Sequence, residues 1–254
     1  MIYLLLSAAS AFFGLSTGLG SSTLLRPLLD AVSPISFSSM AALCTIATLG
    51  AALISAFFAL SQPLSLHQDE LILLAAGAML GGIVGDLIDA RFIVMIPPRT
   101  ALLLHNALLF TLVALPAVYF HTLSRTIQPL AVTRLAAFPV SMVVGIFASF
   151  LAFGAEPLTL MLYFLLFDAE NDESALAALT IALFSMTGKL VTLLIRQRMN
   201  LPDAHILIWI LPGAVIGALL SMLPVFQRRS ERAGDTLLRL SLFTSMINMA
   251  AAIV

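Results

Sequence analysis

The chain is divided into apolar runs that are each about as long as a bilayer is thick. A helix of about 20 mostly apolar residues can cross the hydrocarbon core. Such runs lie near residues 2–25, 38–60, 70–90, 100–120, 132–152, 174–195, 204–225 and 235–253. A further run near 155–167 is too short to cross. Because backbone amides in lipid must be satisfied within their own segment, the sequence predicts an all-α integral membrane protein with about eight transmembrane helices.

Composition supports a lipid environment for these runs. Of 254 residues, 61% are hydrophobic and 10% are charged, and the mean hydropathy is +1.08. A soluble domain carries roughly 25% charged residues. The net charge of −1 gives no reason to expect nucleic acid as a partner. The first run lacks the basic flank of a signal peptide, so we interpret it as a retained span.

Arginine positions leave the membrane orientation open. If all eight runs cross, arginines are moderately more frequent on the face with Arg228 and Arg229, which favours a cytoplasmic location for that face. If the runs near 14–29 and 145–167 dip in and return, this bias largely disappears. Either way we expect a multi-pass protein of the cell membrane (inner or plasma membrane). The same alternative decides whether the two halves described next are parallel or inverted.

The two halves of the chain resemble each other at an offset of 136 residues. Gly77-Ala78-Met79-Leu80-Gly81-Gly82 aligns with Gly213-Ala214-Val215-Ile216-Gly217-Ala218. Met40-Ala41-Ala42-Leu43 aligns with Leu176-Ala177-Ala178-Leu179. Many secondary transporters are built from such repeats, with the substrate site between the halves.

This periodicity predicts one transmembrane domain over 1–254. Repeat one covers about 1–120, and repeat two covers about 132–254. Small residues spaced three or four apart allow close approach of helix backbones. We therefore assign the following glycines to helix packing: Gly77, Gly81, Gly85, Gly213 and Gly217.

The first run contains residues that interrupt a helix. Gly18, Gly20 and Pro27 disfavour a continuous helix. A break would free backbone N–H groups, and a half-helix start with its positive dipole end suits an anion. Ser21 and Ser22 would add hydroxyl donors.

Two charged residues flank the predicted breaks. Arg26 can hold a small oxyanion with its planar guanidinium, or it can extend to the membrane interface. Glu156 lies in the matching segment of the second half, 152–161, which also contains Gly154. It can take up a proton and couple it to anion movement, pair with Arg26, or be an ordinary carboxylate at the interface.

Other polar residues within the apolar runs have structural interpretations. Lys189 is expected to reach a headgroup or to line the pathway. His105 and Asn106 are expected to join helices by hydrogen bonds, and Asp86 to cap or pair locally. The acidic residues between 168 and 173 are expected to be solvated and to cap the following helix.

The segment Gly18-Leu19-Gly20-Ser21-Ser22-Thr23-Leu24-Leu25-Arg26-Pro27-Leu28-Leu29 resembles the signature of the TauE/SafE sulfite-exporter family. The family pattern is a glycine-rich run, a few apolar residues, then Pro-x-Leu. Ser21 and Ser22 stand where the family often has glycine. Ala152-Phe153-Gly154-Ala155-Glu156-Pro157 replaces the second glycine-rich run, and Tyr163 stands opposite Pro27. The resemblance covers nearly the whole chain in length, span count and repeat.

The resemblance implies transport of sulfite, organosulfonates or related organic anions. By alternating access, a site near the midplane would face each side in turn. The predicted substrate-binding residues are Gly18, Gly20, Ser21, Ser22, Arg26 and Gly154, with Glu156 as the coupling candidate. The expected partners are a small anion and the lipid bilayer, and a homo-oligomer is left open.

Two other functions remain as alternatives, a membrane-embedded enzyme acting on a lipid-linked substrate and an accessory subunit. No phosphate-binding loop ending in Lys-Ser or Lys-Thr is present, nor a His-Glu-x-x-His motif. With the single cysteine Cys44, no disulfide framework or thiolate metal site can form. We therefore expect no enzymatic activity, no cofactor and no metal site.

Overall fold

A computed structural model describes residues 1–16, 20–32, 37–59, 66–123, 127–153, 155–196 and 204–223. The predicted last run, 235–253, lies outside this part of the chain. The described residues are almost entirely helical. The helices are α1 (Ile2–Ser16), α2 (Ser22–Val32), α3 (Phe37–Ala59), α4 (Gln68–Met95), α5 (Pro98–Val118), α6 (Ala137–Leu151), α7 (Glu156–Phe167), α8 (Asn171–Ile195) and α9 (Ala204–Ser221).

Several of these helices have the length and apolar character of membrane spans. About eight spans were predicted, and five of the described helices are long enough to cross: Ser39–Ala59, Gln68–Met95, Arg99–Thr122, Arg134–Leu151 and Asn171–Ile195. Three shorter apolar segments accompany them: Ile2–Ser16, Glu156–Phe167 and Ile206–Ser221. The described part of the chain therefore contains no strand, and several of its helices could span a membrane.

The first predicted run is not one span. α1 ends at Ser16, and a separate helix, α2, begins at Ser22. Gly20 has φ of +82°, a left-handed conformation that cannot continue a right-handed helix. The assignment of 2–25 to a single crossing helix was wrong. The alternative of a broken segment describes this region better.

The fifth run also ends at a break. α6 stops at Leu151, and α7 begins after a gap of four residues. Ala152 and Ala155 both have positive φ, 49° and 54°. Left-handed alanine is unfavourable by roughly 1–2 kcal/mol, so surrounding structure must hold this turn in place.

The glycine-rich helices pack as the sequence predicted. α4 packs closely on α6, and α9 packs closely on α1. A Cβ atom at Gly81 would collide with the carbonyl oxygen of Met142 in α6. A Cβ atom at Gly217 would collide with the carbonyl oxygen of Ala8 in α1. Backbone lies where a side chain would be, so close packing requires glycine at both positions.

The acidic segment before α8 caps that helix, which confirms its predicted role. The Glu170 side chain accepts from the backbone of Glu173, and Glu173 Oε2 accepts from the Glu170 backbone N–H at 3.2 Å. This reciprocal pair satisfies two donors at the helix start. α8 also contacts α3 and α4, and it therefore lies centrally in the described bundle.

Candidate functional site

The break between α1 and α2 is a tight turn. The Gly20 N–H donates to the carbonyl oxygen of Gly14, with 3.0 Å between the heavy atoms. Gly14 itself has the Gly20 backbone where a side chain would be. α2 then begins at Ser22, and both Ser21 and Ser22 are buried. The first amides of α2 are thus inside the protein, where an anion could meet the positive end of the helix.

The break between α6 and α7 places a second helix start in the interior. The N–H of Ala152 donates to the carbonyl of Ser149, and that of Phe153 donates to the carbonyl of Ala148. α7 begins at Glu156, and Pro157 occupies a position where its missing N–H costs no helical hydrogen bond. Glu156 is only 6% exposed.

The two breaks meet at Glu156. The Ser22 hydroxyl donates to Glu156 Oε2 at 3.5 Å. A Cβ atom on Gly20 would fall on the Glu156 carboxyl group. The first residue of α2 therefore contacts the first residue of α7, and Gly20 leaves room for the carboxyl group. The structure thus brings together three predicted site residues, two from the first break and one from the second.

Arg26 lies one helical turn after Ser22 on α2, so the two residues share a face. It is 2% exposed. A side chain that extended along lipid to the interface would be far more exposed, so the described position fits an interior charge. The predicted site residues Gly18 and Gly154 lie outside the described residues.

The first break carries donors of the kind that can bind an oxyanion, and the acid Glu156 lies beside Ser22. Helix-start amides, two serine hydroxyls and a guanidinium are donors for oxygen atoms. An ionised Glu156 would repel an anion held there, because two like charges a few ångströms apart strongly oppose each other in a low-dielectric interior. A protonated Glu156 would instead offer an O–H donor. An anion held beside Glu156 would therefore favour protonation of that carboxyl group.

A second polar group, missed as a unit from the sequence, lies within the bundle. Lys189 Nζ lies 3.6 Å from Asp86 Oδ1 and 3.5 Å from Asp89 Oδ2. His105 Nε2 lies 3.1 Å from Asp89 Oδ1. We call these four residues, Asp86, Asp89, His105 and Lys189, the charged network.

All four members of the charged network are at most 5% exposed. Lys189 is fully buried, so the expectation that it reaches a headgroup was wrong. Asp86 and Asp89 lie three residues apart and share a face of α4. Two carboxylates in one apolar run and a single lysine in another were the available signal, because charges inside a membrane protein usually pair.

A further buried contact ties α7 to α4. The Tyr163 hydroxyl donates to Glu70 Oε1 at 3.2 Å, and Arg134 Nε lies 3.9 Å from Glu70 Oε2. Tyr163, which stands opposite Pro27 in the repeat alignment, is fully buried. It connects the second half of α7, the helix that begins at Glu156, to α4.

Comparison with known proteins identifies the family. The family described as sulfite exporter TauE/SafE matches residues 3–252, nearly the whole chain. No curated protein and no solved structure matches the chain.

Proposed function

Because the chain belongs to the TauE/SafE sulfite exporter family, we propose that it is a secondary transporter of a small anion in the cell membrane. The substrates we propose are sulfite, organosulfonates or related organic anions. The observation that carries this proposal is the buried contact between Ser22 and Glu156, where the starts of two interrupted helices meet. Interrupted helices that point their starts at a common interior site suit anionic groups.

The proposed site contains Gly20, Ser21, Ser22 and Arg26 from the first break; Gly18 and Gly154, which lie outside the described residues, stay predicted members of it. The amides and hydroxyls would hold the oxyanion, and Arg26 would supply a positive charge. Glu156 would take up a proton when the anion binds, since a neutral carboxyl group removes the repulsion. One proton would then move with each bound anion, which is how a proton gradient could drive transport.

Alternating access around this site is supported by the helix order. The starts of α1 to α4 precede those of α6 to α9 by 134 to 136 residues. α1 packs on α9, and α6 packs on α4. The first helix of each half therefore packs against the other half. We propose that the two repeats, about 1–120 and 132–254, rock about a site between them. A homo-oligomer would be compatible with this mechanism.

The test is flux of sulfite, small sulfonates and small carboxylates into proteoliposomes that contain the purified chain, with and without a proton gradient. We expect saturable flux that the gradient accelerates. Glu156→Gln should keep the chain folded and abolish the acceleration, whereas Arg26→Ala should raise the half-saturating anion concentration at least tenfold. Absence of flux for every anion would refute the proposed function. Unchanged flux and affinity in both variants would refute the proposed site.

A further inference from the structure

The charged network has an uneven charge count. Two carboxylates, Asp86 and Asp89, face one ammonium, Lys189, and His105 is charged only if protonated. With neutral His105 and both carboxylates ionised, the network carries one uncompensated negative charge. Burying an uncompensated charge is unfavourable, because the interior solvates it poorly. One proton, on His105 or on a carboxylate, restores neutrality.

No neighbouring helix supplies the missing charge among the described residues. α3 and α6, which pack on α8 and α4, contain no charged residue. The other basic residues of α4 and α5, Arg91 and Arg99, are exposed. Asp86 Oδ2 is buried with no hydrogen-bond partner in the described part of the chain. The network thus contains an open acceptor where a proton can be held.

A metal ion does not suit this place. The Lys189 ammonium already lies between the two carboxylates. In the described ranges, no three His, Cys, Asp or Glu side chains are arranged to hold a metal. A proton is the cation that the network can accept without displacing Lys189.

The network touches the last turn of α6 at two points. Lys189 Nζ donates to the carbonyl oxygen of Ser149. The His105 ring stacks on Phe150, with 4.4 Å between centroids and 13° between planes. Ser149 also donates from its hydroxyl to the Gly82 carbonyl at 2.6 Å. The α6 residues in these contacts are Ser149 and Phe150. They come just before Ala152, the first left-handed residue between α6 and Glu156.

We propose that the charged network is a single-proton site, separate from Glu156, whose protonation shifts the end of α6 and thereby the α6–α7 break. A proton on His105 or Asp89 changes how strongly Lys189 is drawn toward α4. Lys189 also donates to the Ser149 carbonyl. A weaker attraction to the carboxylates of α4 therefore changes the hydrogen bond from Lys189 to Ser149. The coupling to transport rests on the proposed function, whereas proton binding does not.

The variants that test this proposal each remove the excess negative charge of the network. Asp89→Asn leaves Asp86 and Lys189, a neutral pair that needs no proton and so should fold. Asp86→Asn leaves Asp89 and Lys189, with the same consequence. Asp69→Asn is the matched control, because Asp69 lies on the same helix but is exposed in its first turn.

The first measurement is infrared difference spectroscopy of the purified full chain in lipid, between alkaline and acidic buffer. We expect a carboxyl or imidazole protonation band whose proton exchanges slowly with deuterium in heavy water, because the group is buried. The wild type and the Asp69→Asn and Glu156→Gln variants should all show it. Asp89→Asn and Asp86→Asn, each combined with Glu156→Gln so that the other proposed proton site is absent, should each lose it. Retention of the wild-type slow band in both of those variants overturns the proposal. So does a band that disappears only in Glu156→Gln.

The second measurement is anion flux in proteoliposomes with and without a proton gradient. Asp89→Asn should carry the anion with its acceleration by the gradient changed, and Asp69→Asn should match the wild type. An unchanged acceleration in Asp89→Asn overturns the link to the break. If the wild type carries no anion, the proposed function fails, and the infrared bands still decide whether the network binds a proton.

Discussion

The missing side chain of Gly20 leaves the space that the Glu156 carboxyl group occupies. A methyl group there would overlap the carboxyl carbon and both oxygens of Glu156. The left-handed φ of +82° adds a conformational penalty of roughly 1–2 kcal/mol for any residue with a Cβ atom. Gly20 therefore matters both for the turn and for the acid that faces it.

We expect Gly20→Ala to lower thermal stability in detergent and to reduce anion flux at least tenfold. Adding Glu156→Ala should recover part of the stability, since it removes the overlap but leaves the backbone penalty of roughly 1–2 kcal/mol. Flux should stay low in the double variant, which lacks the proposed coupling residue. Equal stability of Gly20→Ala and the wild type would contradict the described contact.

Lys189 offers a test of charge balance inside the bundle. Lys189→Met leaves two carboxylates facing each other without their cation. Breaking a buried ion pair in this way costs about 3–5 kcal/mol. We expect a large loss of thermal stability, and we expect the double variant Asp86→Asn with Lys189→Met to recover most of it. An equally unstable double variant would show that Lys189 acts through packing and not through its charge.

Glycines allow several helix pairs to approach closely. The effect of replacing a glycine on stability depends on which atoms a new side chain would meet. Gly81 faces the backbone of α6, which cannot move aside. Gly50 faces only the tip of the Leu211 side chain, at 2.8 Å from the position of a Cβ atom. A flexible side-chain end can shift at little cost, whereas a backbone cannot.

Gly81→Ala should therefore destabilise the protein by about 1–3 kcal/mol, the usual effect of overpacking. Gly50→Ala should be near neutral, because the gain of about 1 kcal/mol in helix propensity offsets the shift of Leu211. Thermal melting of the two variants in the same detergent gives the comparison. A Gly50→Ala variant as unstable as Gly81→Ala would contradict the described contact of α3 with α9, and a Gly81→Ala variant as stable as the wild type would contradict the contact of α4 with α6.

Local sequence signals predicted both helix breaks but not the backbone conformation of the second. The fifth run was predicted to end near 152, and α6 ends at Leu151. Gly18 and Gly20 pointed to a break, and α1 and α2 are indeed separate, but Pro27, which was also expected to disfavour a continuous helix, lies inside α2. The second break depends on Ala152 and Ala155 in left-handed conformations, which alanine rarely adopts. Only the packing of α6 and α7 against other helices can impose them, so no local rule could predict them.

The polar residues inside the bundle were likewise predicted only in part. Glu156 was predicted because a carboxylate between apolar runs is costly, and it is buried beside Ser22 as an interior role requires. The charged network was missed because its members come from α4, α5 and α8. Each residue alone suggested an interface or a simple hydrogen bond. The charge count becomes visible only when helix neighbours are known.

The whole bundle combines a repeated helix order with a charge distribution that is not repeated. The repeat remains a prediction that the similar spacing of helix starts supports. At the repeat offset, Met222, Val225 and Leu53 correspond to Asp86, Asp89 and Lys189. The buried ionic residues therefore have no charged counterparts. A transporter with symmetric scaffolding and one-sided proton chemistry would respond differently to pH on its two faces.

Alternating access makes a prediction about the whole molecule that labelling can test. A cysteine at Ser21, beside the Glu156 contact, should be reached by a membrane-impermeant thiol reagent from either side of the membrane. Cys44→Ala supplies the background, because Cys44 is the only cysteine in the chain. Ser7→Cys is the matched control, since Ser7 is 1% exposed and its hydroxyl donates to the Ile210 carbonyl between α1 and α9.

We expect Ser21→Cys to react from both sides, more slowly when a transported anion is present, and Ser7→Cys to stay unreactive. A proton gradient should shift the balance between the two sides, because the proposed protonation of Glu156 and of the charged network would change the charge near the break. Reaction from one side only, whatever the gradient, would mean that the site never changes the face it presents. The buried acid would then belong to a channel or to a fixed binding pocket, and rocking of two halves would be the wrong mechanism.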